Sequence, residues 1–223
     1  MDTETLTSLQ DLLTVVQEYA RATVVYRGVT SSAHELIPKV GRRRKGERVL
    51  QPKDERHIFN LFKQRAIAHL DRIPANNWEW LAIAQHHGLP TRLLDWTRNP
   101  LVAAYFAVVE KHDSDSAIYG YRSNVYLSIT KHPDPFEVDR VFRVVPNHVT
   151  LRITAQSGLF TIHPVPTEPL SADGDKLCKF VIPAASRRGI KQTLDKLGIN
   201  SASLFPGLDG IARHIDWLRT DEY

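Results

Sequence analysis

The sequence predicts a single α+β domain. Three observations carry that prediction: helix-patterned segments crowd the first half of the chain, strand-patterned segments crowd the second, and one early strand, TVVYRG (23–28), sits among the helices. At 223 residues, with 42% hydrophobic and 24% charged residues, the chain is long enough to bury a core and too apolar to be disordered. Residues 1–223 read as one domain, with 1–22 as a helical appendage.

Taken in order, Leu6, Leu9, Leu13 and Val16 recur at helical spacing and predict an amphipathic helix over 5–21. TVVYRG, β-branched and aromatic, reads as a strand ending at Gly28. Arg42, Arg43, Arg44, Lys45 and Arg48, flanked by Gly41 and Gly46, read as a basic loop. Pro52 opens a helix carrying Ile58, Leu61, Phe62, Ile67 and Leu70, with Pro74 just beyond it. Asn76 or Asn77 caps a further helix through Trp78, Leu81 and Ala84, stopped at Gly88. LPTRLLDWTR (89–98) reads as a turn-bounded loop, and Asn99-Pro100 as the cap and first position of the helix LVAAYFAVVEKH. Six strands are then expected, in SAIYGYR, NVYLSIT, DRVFRVV, TLRIT, GLFTIHP and KLCKFVIP. Two helices close the chain, ASRRGIKQTLDKLG and LDGIARHIDWLR.

Several function classes drop out on composition and motif. No apolar run reaches the roughly 18–20 residues of a membrane span, and MDTETLTSLQ lacks the basic and apolar regions of a secretion signal, so a cytoplasmic protein is expected. The lone Cys178 excludes an internal disulfide and a cysteine metal cluster. His86-His87 are adjacent, whereas helical metal ligands need i,i+4 spacing, so no metal is expected. There is no G-x-S-x-G elbow around Ser157 or elsewhere, no phosphate-binding G-x-x-x-x-G-K-[ST] loop and no G-x-G-x-x-G. A net charge of +4 is modestly basic, and the 42–48 run with a second patch at Arg187, Arg188 and Lys191 could hold phosphates or nucleic acid, or be solvated loop and helix surface.

What remains is concentrated in two places. Arg27 ends a strand and is followed by glycine, so its cation is rigidly held while Gly28 admits a ligand or a neighbouring backbone. It reads either as an anchor for phosphate or ribose, suited to the bidentate guanidinium fork, or as the partner of a structural carboxylate such as Asp95 or Glu55. The stretch QHHGLPTRLLDWTRNP then presents Thr91, Arg92, Asp95, Trp96 and Thr97 between two helices. The exposed N–H groups opening the second of these helices would favour an anion there, with Arg92 or Arg98 adding charge and Trp96 a flat face. The alternative is an internal arrangement in which Asp95 pairs with Arg92 and Trp96 is core.

At these residues the chain resembles the FRG domain family, named for an [FY]-R-G motif, here Tyr26-Arg27-Gly28. The likeness continues in Gln85-His86-His87-Gly88, in Pro90-Thr91-Arg92-Leu93-Leu94-Asp95-Trp96-Thr97, and in Asn99-Pro100 with Ala104-Tyr105-Phe106-Ala107. Later elements match as well: Arg152 with Ala155-Gln156-Ser157-Gly158-Leu159-Phe160, and Leu204-Phe205-Pro206 with Leu208-Asp209-Gly210. The family is known from bacteria and phages and does not by itself imply a reaction.

A weaker similarity is to ADP-ribosyltransferases, which place an arginine or histidine on the first strand, a hydroxyl-rich segment before a helix, and a polar residue on a late strand. It implies early helices packed on a mixed or antiparallel split β-sheet, and NAD as a substrate whose nicotinamide leaves through an oxocarbenium-like state. Carried over to this sequence, Arg27, Asp95 and Gln156 are the implied catalytic residues. Tyr26, Arg27, Gly28, His86, His87, Thr91, Arg92, Trp96, Thr97 and Tyr105 are the implied contacts to NAD. Gln156 departs from the usual glutamate, which leaves Asp95 as the carboxylate for catalysis, or leaves a module that binds a nucleotide without turnover. The similarity implies a macromolecular target, protein or nucleic acid, for a toxin or antiphage effector, with an antitoxin or regulatory partner and no membrane. A third reading makes the polar motif an internal network pinning the fold.

Overall fold

Segments of opposite hydrophobic period meet on one seven-stranded mixed sheet in the order β1-β7-β4-β2-β3-β6-β5. The computed structural model describes residues 2–18, 23–42, 50–110, 113–146, 151–171 and 176–220. The strands are β1 (Asp2–Thr5), β2 (Val24–Val29), β3 (Leu93–Thr97), β4 (Ser116–Arg122), β5 (Phe142–Val144), β6 (Gly158–Ile162) and β7 (Lys176–Ile182). β1 runs parallel to β7, and every other neighbouring pair is antiparallel. The helices are α1 (Leu9–Glu18), α2 (Pro52–Ala66), α3 (Asn77–His86), α4 (Pro100–Val108), α5 (Leu151–Ala155), α6 (Ala184–Lys196), α7 (Ser201–Leu204) and α8 (Leu208–Thr220). No helix among them is long and apolar enough to cross a membrane.

Sheet alternation sends successive side chains to opposite faces, and both faces here are covered. Tyr26, Ile118, Cys178, Phe180 and Ile182 join α1, α4, α6 and α7 in one core cluster. Val25, Val29, Ala117, Tyr119, Tyr121 and Leu177 point the other way, into a cluster with Leu36, Trp96 and Leu170. A third cluster packs Phe59, Trp78 and Leu81 from α2 and α3 on Leu93, Phe142, Phe160 and Ile162.

The centre of the sheet is its weakest seam. β2 and β4 pair over six residues, from Val24–Arg122 to Val29–Ala117. β2 and β3 share one register pair, Tyr26 with Thr97. Beyond it the strands part, and the functional groups gather in the gap.

Local signals were obeyed at most helix ends. Asn76 Oδ1 accepts from the N–H groups of Trp78 and Glu79 at 3.0 Å, and Asn99 Oδ1 accepts from Leu101 N–H at 2.9 Å. Gly88 closes α3 at φ 85°, the left-handed conformation that a side chain disfavours.

Four expectations are corrected. LPTRLLDWTR is not a loop, since Leu93–Thr97 is the interior strand β3, between β2 and β6. TLRIT is not a strand, because Leu151–Ala155 forms the short helix α5. NVYLSIT forms no strand, with Tyr126 making an isolated bridge to Arg143 and Val125 and Ile129 exposed. The first helix starts at Leu9, and the polar DTET before it adds a parallel edge strand to β7. Of the basic run, Arg43, Arg44, Lys45 and Arg48 lie outside the described residues, while the Arg42 side chain donates to the Ile37 carbonyl at 2.8 Å.

Candidate functional site

Where β2 and β3 separate, a cavity of about 250 Å³ opens. Its lining includes Tyr26, Arg27 and Gly28 from β2, Asp95, Trp96 and Thr97 from β3, Gln85 and His86 from α3, and Phe106 from α4. Arg152, Ile153 and Gln156 close it from α5 and the turn that follows. Chain segments far apart in sequence therefore meet here, and Arg27, Asp95 and Gln156 share one hollow. Through Arg27, Gly28 and Phe106 the cavity adjoins a wider groove of about 1280 Å³, bordered by His34, Lys39 and Arg42.

Arg27 holds the opening. Its Nη1 donates to the main-chain carbonyl of Asp95 at 2.6 Å and lies 3.6 Å from Oδ2 of the same residue. The guanidinium thus stands in for the inter-strand bond that the diverging strands no longer make. Burial lowers the pKa of Arg27, and Asp95 opposes the shift. Asp95 is unusual for an interior strand: its neighbours Leu94 and Trp96 are buried, while its side chain is 57% exposed to the cleft. It is braced by a relay in which the buried Thr91 hydroxyl donates to Gln85 Oε1 at 2.7 Å and Gln85 Nε2 donates to Asp95 Oδ2 at 2.8 Å.

On the other wall, Gln156 Nε2 donates to the Leu204 carbonyl at 2.9 Å, which fixes the amide and leaves its Oε1 without a partner among the described residues. Arg152 lies 4.5 Å above the Phe205 ring. Burial lowers its pKa, with Asp95 acting against that shift and Arg213 adding to it. His86 is also shifted down, first by burial and then by Arg152 and His87, so the neutral ring is favoured. Trp96 is pinned from behind: its indole N–H donates to Thr161 Oγ1 at 2.9 Å, and that hydroxyl meets His163 Nε2 at 2.9 Å.

Eight of the residues expected at the site line the cavity: Tyr26, Arg27, Gly28, His86, Asp95, Trp96, Thr97 and Gln156. Thr97 is spoken for, since its hydroxyl donates to the Gln156 carbonyl at 2.7 Å and accepts from Asn99 N–H at 3.0 Å. Gly28 is small for a different reason than ligand approach. A Cβ there would fall 1.9 Å from the Ala103 carbonyl oxygen of α4.

Four others are elsewhere. Arg92 is buried in a bidentate pair with Glu55, at 2.9 and 2.6 Å, so of the two carboxylates considered for Arg27, Glu55 belongs to Arg92 and Asp95 lies beside Arg27. Thr91 is buried behind Gln85, Tyr105 is buried in the core beside α7, and His87 is exposed with its ring edge-on to His86 at 4.9 Å. The start of α4 does not line the cavity, and Asn99 satisfies its leading N–H groups. Nor is Arg187 a phosphate site, because its guanidinium is buried on the carbonyls of Thr30, Glu110 and Ser114.

Gln85, Phe106, Ile153 and Arg152 join the lining without having been assigned a role. The signal for Gln85 was present in its place beside the two histidines. Arg152 had none beyond the resemblance, being one of 29 basic residues.

Neither a curated protein nor a solved structure matches the chain. The model of the FRG domain family matches residues 22–116, which run from the approach to β2 through both cleft-forming strands to the start of β4. Over that span the chain is similar to the FRG domain family, and the likeness takes in the Tyr26-Arg27-Gly28 motif.

Proposed function

We propose that the cleft binds NAD and that the protein is an ADP-ribosyltransferase-like enzyme. The observation that carries this reading is Asp95, a solvent-facing carboxylate in the middle of a buried strand, braced by Gln85 and set beside the Arg27 guanidinium. A carboxylate held in place by a relay can stabilise a positive charge developing in a reaction, because it is oriented before the charge appears, and a bound dinucleotide would shield it from water. In the proposed step the bond between the ribose C1′ and nicotinamide breaks, the electron pair leaves with nicotinamide, and the sugar becomes oxocarbenium-like against Asp95. A nucleophile of the target then bonds to C1′ and gives up its proton. Arg27 holds a phosphate, and Gln156 Oε1 accepts from a ribose hydroxyl. The wider groove gives the rest of the dinucleotide a place beyond the cavity of about 250 Å³. A fold built on a split sheet, as in ADP-ribosyltransferases, agrees with the single pairing between β2 and β3. Acting on a host macromolecule, such an enzyme would be a toxin or antiphage effector under the control of a partner.

Incubation with NAD and cell extract, following nicotinamide, tests the proposal. Release that disappears in Asp95→Asn and Arg27→Ala supports it, and no release at high protein concentration overturns it. Gln156 favours one second reading, a module that binds a nucleotide without turnover, since an amide supplies no negative charge where transferases carry glutamate. In that case NAD raises the melting temperature and no nicotinamide appears.

A further inference from the structure

Charge around the cavity does not balance. One carboxylate, Asp95, faces two guanidinium groups, Arg27 and Arg152, and His86 beside them favours its neutral form. Arg27 spends Nη1 on Asp95, so part of its fork is engaged. The Arg152 guanidinium is different. It is half-buried, rests on the Phe205 ring at 4.5 Å, and makes no hydrogen bond or ion pair with any described residue. A guanidinium carries five N–H donors, and a partly desolvated one with none of them used is costly unless a ligand takes them.

Its setting is built. Phe205 stacks on Arg152, and the adjoining Leu204 carbonyl holds Gln156, so the C-terminal end of α7 fixes two cavity groups at once. Arg213 lies at the same 4.5 Å from the Phe205 ring yet does not line the cavity, and its Nε donates to the Asp209 carbonyl. Two cations converging on one ring, with one turned to the cavity, strengthen the positive potential there.

We propose that Arg152 is a second anion anchor of this cleft, and that with Arg27 it clamps the diphosphate of a nucleotide. The inference rests on the same cleft as the proposed function and deepens it, by naming a phosphate contact from outside the matched segment. A diphosphate suits the pair because each guanidinium offers a planar fork to one phosphate, and a cavity of about 250 Å³ takes that group with the sugar beside it.

Calorimetric titration of the full chain with ADP-ribose and with inorganic pyrophosphate tests this, because neither probe requires turnover. The parent should bind both. Arg152→Gln should weaken both by about tenfold or more, the loss of a charge-assisted contact, and Arg152→Lys should recover part of it. Arg213→Gln removes the other cation over Phe205, an exposed charge that does not line the cavity, and should leave binding within about twofold because solvent screens it. Unweakened binding of either probe by Arg152→Gln overturns the proposal, as does a parent that binds neither. An equal loss in Arg213→Gln overturns it too, since the effect would then belong to the Phe205 stack. Should Arg152→Gln fail to fold, the lysine variant decides, and binding equal to the parent's counts against the clamp. A protein that binds pyrophosphate through Arg152 yet releases no nicotinamide sinks the enzyme reading alone. Nicotinamide release untouched by Arg152→Gln sinks the clamp alone.

Discussion

The Arg27 guanidinium donates to the Asp95 carbonyl at 2.6 Å, on the side of the Tyr26–Thr97 pair where β2 and β3 cease to be partners. A side chain has replaced a ladder bond. The replacement keeps the sheet joined while opening it, and it puts a cation and a carboxylate at the mouth of the opening. Fold and site are therefore built from the same contact.

That contact separates binding from stability. The Asp95 side chain is 57% exposed and asparagine keeps an acceptor for Gln85, so Asp95→Asn should cost no more than about 1 kcal/mol, the scale of an exposed ion pair. Its effect on nicotinamide release should be a loss of about 100-fold or more, the scale for removing a preorganised charge-stabilising group. Thermal unfolding and product release measured on one preparation check both halves. A large drop in melting temperature with normal release would reverse the assignment.

Arg92 should behave in the opposite way. It and Glu55 are 5% and 4% exposed and paired bidentately. Truncating one partner leaves the other buried and uncompensated, which costs about 3–5 kcal/mol. Arg92→Met should therefore destabilise the protein by that order in urea unfolding. Replacing both, Glu55→Leu with Arg92→Met, should restore much of the loss. Recovery in the double variant identifies Arg92 as structural although it lies within the motif.

Gly28→Ala tests the glycine of the Tyr26-Arg27-Gly28 motif. The added Cβ would sit 1.9 Å from the Ala103 carbonyl oxygen and 2.5 Å from the Ala107 nitrogen, both backbone atoms of α4 that cannot rotate away. Overpacking of this kind costs about 1–3 kcal/mol or more. The variant should unfold at lower denaturant than the parent, whether or not a nucleotide is present. A variant that keeps its stability but loses nucleotide affinity would instead return Gly28 to ligand approach.

Legibility followed the range over which each signal acts. Caps are local, so Asn76, Asn99 and Gly88 could be read directly, and β4, β6 and β7 announced themselves by composition. β3 was hidden because Leu93, Leu94, Trp96 and Thr97 are buried on both faces, which removes the alternation that marks a half-exposed strand. TLRIT carries β-branched residues, yet only Ile153 of α5 is buried, and tertiary context overrode propensity. β1 is polar and is held by its backbone ladder to β7, which leaves no pattern to read. At the site, residue types were visible but not their directions. Thr91, Arg92 and Tyr105 turn inward while Asp95 and His86 face the cleft, a division that depends on how the sheet splits.

Acid sensitivity should come from a residue behind the site. Burial, with the nearby cations of Arg27 and Arg92, lowers the His163 pKa from 6.5 to about 4. The contacts accommodate a neutral ring. Thr161 Oγ1 accepts from the Trp96 indole and lies 2.9 Å from His163 Nε2, so the hydroxyl proton has a ready acceptor there when the ring is uncharged. In the unfolded chain the ring takes up a proton near its ordinary value, and in the folded protein it does not until about 4. Between those two pH values the unfolded state holds the extra proton, so stability present above about 6.5 is lost progressively as pH falls towards about 4. A displacement of that size corresponds to a loss on the order of 3 kcal/mol. His86 is shifted in the same direction and adds a smaller slope of the same sign. Urea unfolding of the parent and of His163→Gln across this window isolates the buried ring. The variant is expected to be less stable at neutral pH and flatter towards acid. A parent curve no steeper than the variant's would show that His163 charges in the folded state, and that the link from Trp96 through Thr161 does not hold it neutral.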